Sequence, residues 1–141
     1  MPTRRFENAT DATPEQLFAT IADLKSWPAW DGELERIEHD GSPIRAGTSY
    51  RLKPRGGPAV PMTVVAADPP HRFIDVARLP LARMRTEHLF ERVEDGRTCV
   101  RVNIVTTGLL AFFWDRVVAA KQVAGAAEQL RAMAAYAKEQ P

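Results

Sequence analysis

The chain has 141 residues, enough for one apolar core, and we expect residues 1–141 to form a single domain. Its 19 Lys and Arg nearly balance its 18 Asp and Glu, and no block of like charge occurs, which argues against a nucleic-acid-binding protein. No apolar stretch approaches the roughly 20 residues of a membrane-spanning helix, and residues 1–10 lack the apolar segment of a signal peptide. We therefore expect a cytoplasmic protein with no integral membrane association.

The N-terminal part predicts one strand followed by two short helices. Residues 3–9 are expected to form the strand. Thr13 is a suitable N-cap for a helix at residues 14–23, because Pro14 and Glu15 then occupy its first turn. A second helical turn is predicted at residues 26–30.

The middle of the chain predicts six further strands. Glycine- and proline-containing turns separate short segments of alternating or mixed polarity. Loops this short join antiparallel strands, because a parallel return needs a crossover of about a dozen residues or more. The predicted strands are residues 34–38, 48–53, 60–67, 72–79, 83–93 and 98–107.

Residues 109–139 predict one uninterrupted, alanine-rich helix without proline. Its apolar positions recur at helical spacing and predict a single buried stripe. The stripe comprises Phe113, Val117, Ala120, Ala124, Ala127, Leu130, Ala134 and Ala137. Because alanine side chains fill little space, a curved sheet facing this stripe is expected to keep an internal cavity.

The alternation of side chains in the strands predicts what lines that cavity. Even-numbered residues of the strand at 83–93 and of the last strand should face inward, as should Tyr50 and Leu52. The resulting surface is apolar with a few polar groups, as in small-molecule pockets. The predicted ligand contacts are Trp30, Tyr50, Leu52, Met84, Thr86, His88, Phe90, Val102, Ile104, Phe113 and Val117.

Three of the candidate residues allow two interpretations each. His88 either orients or protonates a ligand, or is a hydrogen-bonded packing residue. Trp30, together with Trp27, either contacts the ligand or plugs one end of the core. Asp75 faces inward near His88 if its strand buries Phe73, and is solvated if the opposite face of that strand is the buried one.

Motifs for other chemistry are absent from the sequence. It has no phosphate-binding loop, no Gly-x-Ser-x-Gly and no paired cysteines at zinc-site spacing, and Cys99 stands alone. We therefore expect no metal, no other cofactor and no intrachain disulfide.

The order of elements and several short motifs resemble the START-related helix-grip (SRPBCC) superfamily, specifically its polyketide cyclase/dehydrase and lipid transport branch. The resemblance covers nearly the whole chain. It is carried by Ala12-Thr13-Pro14-Glu15 with Leu17-Phe18, Trp27-Pro28-Ala29-Trp30-Asp31, Gly47-Thr48, Leu52-Lys53-Pro54 with Gly56-Gly57-Pro58, Leu79-Pro80-Leu81-Ala82, Glu87-His88 and Asp95-Gly96-Arg97-Thr98. It implies an α+β fold in which a curved antiparallel sheet of about seven strands wraps around a long C-terminal helix, with two short helices between strands 1 and 2.

The resemblance also implies an elongated cavity for apolar molecules, and three functions follow. The leading hypothesis is binding of a hydrophobic small molecule, such as a lipid, polyketide or aromatic compound, between the sheet and the C-terminal helix. The alternative is a polyketide cyclase/aromatase or dehydratase with His88 as the acid/base and Tyr50 or Thr86 holding a carbonyl or enolate oxygen. A third hypothesis is a protein-interaction module or homodimer that uses residues 109–114.

Overall fold

Seven antiparallel strands form one curved sheet in the computed structural model, which describes residues 1–140. The strands are β1 (Thr3–Thr10), β2 (Leu34–Glu38), β3 (Ser49–Pro54), β4 (Val60–Asp68), β5 (Arg72–Leu79), β6 (Ala82–Arg92) and β7 (Thr98–Thr107). Their order across the sheet is β1-β7-β6-β5-β4-β3-β2. The predicted antiparallel sheet is confirmed, and every predicted strand lies within one residue of its observed bounds. The first strand pairs with the last, which leaves β1 and β2 as the two edges.

Two short helices follow β1, as predicted. Helix α1 (Pro14–Ala22) begins with a capping box, in which Thr13 Oγ1 accepts a bond from Gln16 N (3.0 Å) and Gln16 Oε1 accepts one from Thr13 N (2.9 Å). A 3₁₀ turn, Leu24–Ser26, leads into α2 (Trp27–Trp30). The reciprocal cap fixes where α1 starts and so directs its buried face onto the sheet.

The C-terminal helix begins two residues later than predicted and is less regular. It consists of α3 (Ala111–Trp114), a π turn (Asp115–Ala119), α4 (Ala120–Ala124) and α5 (Ala126–Glu139). The π turn and Gly125 interrupt what was expected to be one continuous helix. The helix packs against β1, β6 and β7, and its α5 segment packs against α1 and α2.

The predicted stripe on this helix is wrong in its N-terminal half. Phe113 and Val117 are 52% and 39% exposed, and Ala124 and Ala127 are exposed as well. A π turn contains one residue more than a turn of α-helix, so the part of the helix before it is rotated relative to the part after it. As a result, Ala111, Asp115 and Ala119, which are four residues apart, are all buried. The buried positions are Ala111, Asp115, Ala119, Ala126, Leu130, Met133, Ala134 and Ala137.

The core consists of a large cluster under α1, α2 and α5 and a small one under the π turn. In the large cluster, Phe73 packs edge-on against Phe18 and Trp27, at 6.4 Å between ring centroids in both pairs. The small cluster contains Met84 and Ile104 from the sheet and Ala119 from the helix. The C-terminal helix supplies the large side chains of Leu130 and Met133 to the large cluster, whereas its buried residue in the small cluster is Ala119, with Val118 partly buried beside it.

Within residues 1–140, no helix is long and apolar enough to cross a membrane.

Candidate functional site

The concave face of the sheet brings together eight of the eleven predicted ligand contacts. Strand pairing places Thr86 opposite Ile104 and His88 opposite Val102, and Tyr50 lies on the same face through β3 and β4. Four of these side chains are buried: Tyr50, Met84, Phe90 and Ile104. The other four are only half-buried: Leu52, Thr86, His88 and Val102. These four are less completely covered than the first four, although Leu52 and Val102 pack against the large core cluster.

Asp75 is a charged residue that is almost completely buried on this face. It is 3% exposed, lies directly opposite Thr86 in the sheet, and accepts a 2.6 Å hydrogen bond from the hydroxyl of Tyr50. The structure therefore settles which face of β5 is inward: Phe73 and Asp75 face the core. Sequence alternation could not decide this, because Ile74 on the opposite face is fully buried too.

Burial changes the proton affinity of this pair. Loss of solvation raises the pKa of Asp75 to about 6, although the hydrogen bond from Tyr50 opposes the change. Burial, together with the nearby Asp75 carboxylate, raises the pKa of Tyr50 well above its ordinary value of 10. At neutral pH the site therefore holds a carboxylate that is close to its protonation midpoint and a phenol that donates to it.

His88 contributes an unpaired ring nitrogen. Its ring packs 6.1 Å from that of Phe73, and its Nδ1 is buried without a hydrogen-bond partner among residues 1–140. Burial lowers the pKa of His88 to about 4, so the imidazole is neutral at pH 7. Thr106 Oγ1, near the end of β7, is also buried without a partner in the described chain. Buried polar atoms are nearly always paired in native proteins, so both atoms are candidates to bond a ligand.

Trp30 lies in the large core cluster. Its Nε1 donates to Ser26 Oγ (3.2 Å), and its ring packs 6.0 Å from that of Trp27, whose Nε1 donates to Ile21 O. Both indoles are therefore satisfied and enclosed. This arrangement matches the interpretation in which they plug one end of the core.

Phe113 and Val117 do not join the site. Phe113 packs edge-on against Trp114, at 5.0 Å between ring centroids, on the exposed side of α3. Val117 lies on the outer side of the π turn. The expectation that these two side chains face the sheet is wrong, because the π turn changes the phase of the helix after α3.

Asp115 is a buried charged residue that the sequence reasoning missed. It lies in the π turn and faces β1, where Arg4 donates to both of its carboxylate oxygens at 2.9–3.1 Å. The available signal for its burial was its spacing: Asp115 comes four positions after Ala111 and four before Ala119, and both alanines are buried. The ion pair ties the C-terminal helix to the β1 edge of the sheet.

Two open grooves of about 690 and 500 Å³ lie elsewhere on the described chain, mainly on the convex face. The larger is lined by residues 38–40 and by residues of β3 to β6, among them Arg51, Arg78 and Arg83, and it also touches Tyr50 and Met62. Neither groove lies between the sheet and the C-terminal helix. In residues 1–140, no group of three or more His, Cys, Asp or Glu side chains is placed to hold a metal ion.

Comparisons with solved structures identify the fold. A hypothetical protein from Helicobacter pylori matches with a TM-score of 0.79 and 14% identity over 96% of this chain and 88% of its own. A START superfamily protein from Mycobacterium smegmatis gives 0.73 and 10% over 95% and 97%. The di-domain ARO/CYC protein BexL, from the BE-7585A biosynthetic pathway, gives 0.72 and 16% over 95% of this chain and 45% of its own.

Comparison at the sequence level identifies the family. An uncharacterized protein of Mycobacterium tuberculosis is 38% identical over 55 residues, and the match spans 37% of this chain and only about a third, 33%, of that relative. The family described as "Polyketide cyclase / dehydrase and lipid transport" matches residues 5–138. Because this match covers nearly the whole chain, the chain belongs to the polyketide cyclase/dehydrase and lipid transport family.

Proposed function

We propose that this protein binds a mostly apolar small molecule that carries a hydrogen-bonding group, on the concave face beneath the N-terminal half of the C-terminal helix. The observation that carries the proposal is the unpaired Nδ1 of His88, on a face that is mostly apolar and incompletely covered. The family description, which names lipid transport, supports an apolar ligand.

Affinity and orientation would come from different parts of this site. A ligand that buries about 300 Å² of apolar surface gains roughly 7 kcal/mol before ordering costs. A polar atom that reaches His88 adds less net affinity, but a ligand without one leaves a buried nitrogen unpaired. We therefore expect long-chain or polycyclic alcohols, ketones and acids to bind more tightly than hydrocarbons of equal size.

Binding of a fluorescent apolar probe, N-phenyl-1-naphthylamine, tests this proposal. Val102→Trp places a large side chain on the half-buried concave face, whereas Val105→Trp places it on the opposite face of the same strand. We expect Val102→Trp to weaken probe binding about tenfold or more and Val105→Trp to leave it nearly unchanged. Equal affinity in the two variants, or no probe binding by the wild type, would contradict a concave-face site.

A second candidate function is acid–base catalysis on a bound polyketone, with Asp75 as the proton-transferring group. It is favoured by one observation: Asp75 is buried, bonded to Tyr50, and has a pKa of about 6. The Asp75 carboxylate would take a proton from a carbon between two ketones, and the resulting enolate carbon would form a C–C bond with a ketone carbon further along the same molecule. As the C=O π bond of that ketone breaks, its oxygen becomes an alkoxide, which takes the proton back from Asp75. His88, predicted as the acid/base, is better suited to hold an oxygen or donate a hydrogen bond, because its ring is neutral at pH 7.

Turnover of a linear poly-β-ketone tests this second candidate. We expect Asp75→Asn to lower the rate about a hundredfold while probe binding is retained, and the wild-type rate to rise with pH through a midpoint near 6. Glu94→Gln, at an exposed turn position, is the matched control. If the wild type shows no turnover above the background rate, or Asp75→Asn is as active, catalysis by this residue is excluded and binding alone stands.

The predictions of a cytoplasmic location, of a possible homodimer and of no nucleic-acid partner remain part of this proposal.

A further inference from the structure

Exposed apolar side chains gather at one end of the molecule. They come from the β5–β6 turn and from the segment that leads from β7 into α3, and they form what we name the apolar tip: Leu81, Leu109, Leu110, Phe112 and Phe113. Leu109 is 86% exposed and Phe112 72% exposed. A contiguous set of large exposed apolar residues is uncommon on a soluble surface and marks an interaction site.

The apolar tip is built as one preformed unit. Gly108 has a φ of +108°, and a Cβ at this position would lie 2.7 Å from Leu81 O. Leu110 N donates to the same carbonyl oxygen at 3.0 Å, and Trp114 Nε1 donates to Pro80 O at 2.8 Å. The two segments therefore hold their apolar side chains in a fixed arrangement.

Leu81 occupies a position that does not favour leucine. Its φ is +57°, in the left-handed region where glycine or asparagine is less strained. Its side chain is 64% exposed and so gains little from the protein's own core. The fold thus keeps an apolar side chain here at a conformational cost, which indicates a use outside the fold.

Basic residues flank the two segments that form the apolar tip. Arg78, Arg83 and Arg85 lie on either side of Leu81 in β5 and β6, and Arg116 follows Phe112 and Phe113 in the C-terminal helix. The nearby carboxylate of Asp115 is paired with Arg4. Arg78 lies directly opposite Arg83 across β5 and β6, and neither forms an ion pair within residues 1–140. Two like charges in this position repel each other, so an external anion would relieve them.

We propose that the apolar tip inserts into the interface of an anionic lipid bilayer, with the surrounding arginines on the lipid headgroups. An apolar surface flanked by basic side chains is the combination that binds membrane surfaces without spanning them. A second copy of this chain fits less well, because a two-fold interface through the tip would place Arg78 and Arg83 against the same residues of the partner.

Flotation with lipid vesicles tests the proposal. The full chain is mixed with vesicles of phosphatidylcholine alone or with about 30% phosphatidylserine, at roughly 0.05 M salt. We expect binding to the anionic vesicles, weak binding to the neutral ones, and loss of binding when salt is raised about tenfold. Two paired changes, Leu109→Ser with Phe112→Ser and Arg78→Gln with Arg83→Gln, should each weaken binding about tenfold or more.

The matched control is Val93→Ser with Arg97→Gln, because both residues are exposed at the β6–β7 turn away from the tip. It should bind within about twofold of the wild type. Unchanged circular dichroism and unchanged probe binding in every variant exclude misfolding. The proposal is overturned if the wild type does not float with anionic vesicles, or if the Leu109 and Phe112 variant floats as well as the wild type. It is also overturned if light scattering shows a dimer that the same variant converts to a monomer.

Discussion

The carboxyl group of Asp75 lies among apolar side chains, so its protonation is coupled to folding. Its pKa in the folded protein, about 6, is above the ordinary value of 3.8. Below about pH 4 the carboxyl is protonated whether the chain is folded or not. As the pH rises through 6, the folded state must bury a charge that the unfolded state leaves in water, and the stabilising contribution of the protonated carboxyl is lost.

Asp75→Asn should therefore change how stability depends on pH. Relative to the wild type, the variant should gain stability between about pH 4 and pH 7 by up to about 3 kcal/mol, the equivalent of about two pKa units. Urea unfolding at several pH values measures this difference. Parallel pH profiles for the two proteins would show that Asp75 titrates as it does in solution. The exposed Glu94→Gln serves as the control.

His88→Gln should give the opposite trend in the same experiment. The pKa of His88 in the folded protein, about 4, is below its ordinary value of 6.5. Its neutral form stabilises the wild type above pH 6.5, and this contribution is lost as the pH falls from 6.5 toward 4. Glutamine does not titrate, so the variant does not lose stability in this way. Its free energy of unfolding relative to that of the wild type should therefore rise as the pH falls. Equal profiles would place His88 in contact with solvent.

The inward or outward direction of a strand residue can be predicted from the sequence only where its neighbours differ from it in polarity. Met84 lies between Arg83 and Arg85, so its inward direction was readable from the sequence, and the structure confirms that it is buried on the concave face. Asp75 lies in a segment where Phe73 and Ile74 are both apolar and both end up buried. Only the pairing of β5 with β4 and β6 decides its direction, and that information is not local.

At the level of elements, the strands were easier to predict than the C-terminal helix. Strand bounds follow from turn residues and alternation, both of which are local. The face that a helix buries depends on its phase, and one π turn shifts that phase without leaving a breaker residue in the sequence. Buried Asp115 stabilises the turn by meeting Arg4 on β1, so the deviation depends on a contact more than a hundred residues away in the sequence.

Deletion of one residue tests this interpretation of the helix. Removing exposed Val117 should convert the π turn into regular α-helix while both flanking segments keep their orientation, with a loss of about 1 kcal/mol. Removing exposed Ala127, in regular α5, should rotate Leu130 and Met133 away from the core and cost about 4 kcal/mol or more. Thermal unfolding of the two variants compares them directly. If both deletions cost the same, the extra residue of the turn is not at Asp115–Ala119.

For the whole molecule, the arrangement of charge matters more than its total. The net charge is only +1, yet Arg78, Arg83, Arg85 and Arg116 flank the segments that form the apolar tip. Elsewhere arginines meet carboxylates, as Arg101 meets Glu7 and Arg92 meets Glu15. The sequence shows no block of like charge, because segments distant in the chain supply these residues. Only the fold brings them together.

Leu81→Gly should separate folding from membrane binding. Glycine relieves the left-handed backbone at this turn, so we expect the variant to be more stable by about 1 kcal/mol. It also removes an exposed apolar side chain from the tip, so vesicle binding should fall severalfold. Urea unfolding and vesicle flotation of the same preparation measure the two effects. A variant that is less stable, or that binds vesicles as the wild type does, would show that Leu81 serves the fold.

The ion pair between Arg4 and Asp115 makes the two margins of the concave face unequal. It fastens the C-terminal helix along β1, while the helix has its main sheet contacts on β1, β6 and β7. The opposite margin, where Leu52 pairs with Val60 across β3 and β4, is left half-buried. The helix is thus tied to the β1 margin of the sheet. We expect a ligand to enter at the β3–β4 margin, because that side can widen without breaking the ion pair between Arg4 and Asp115.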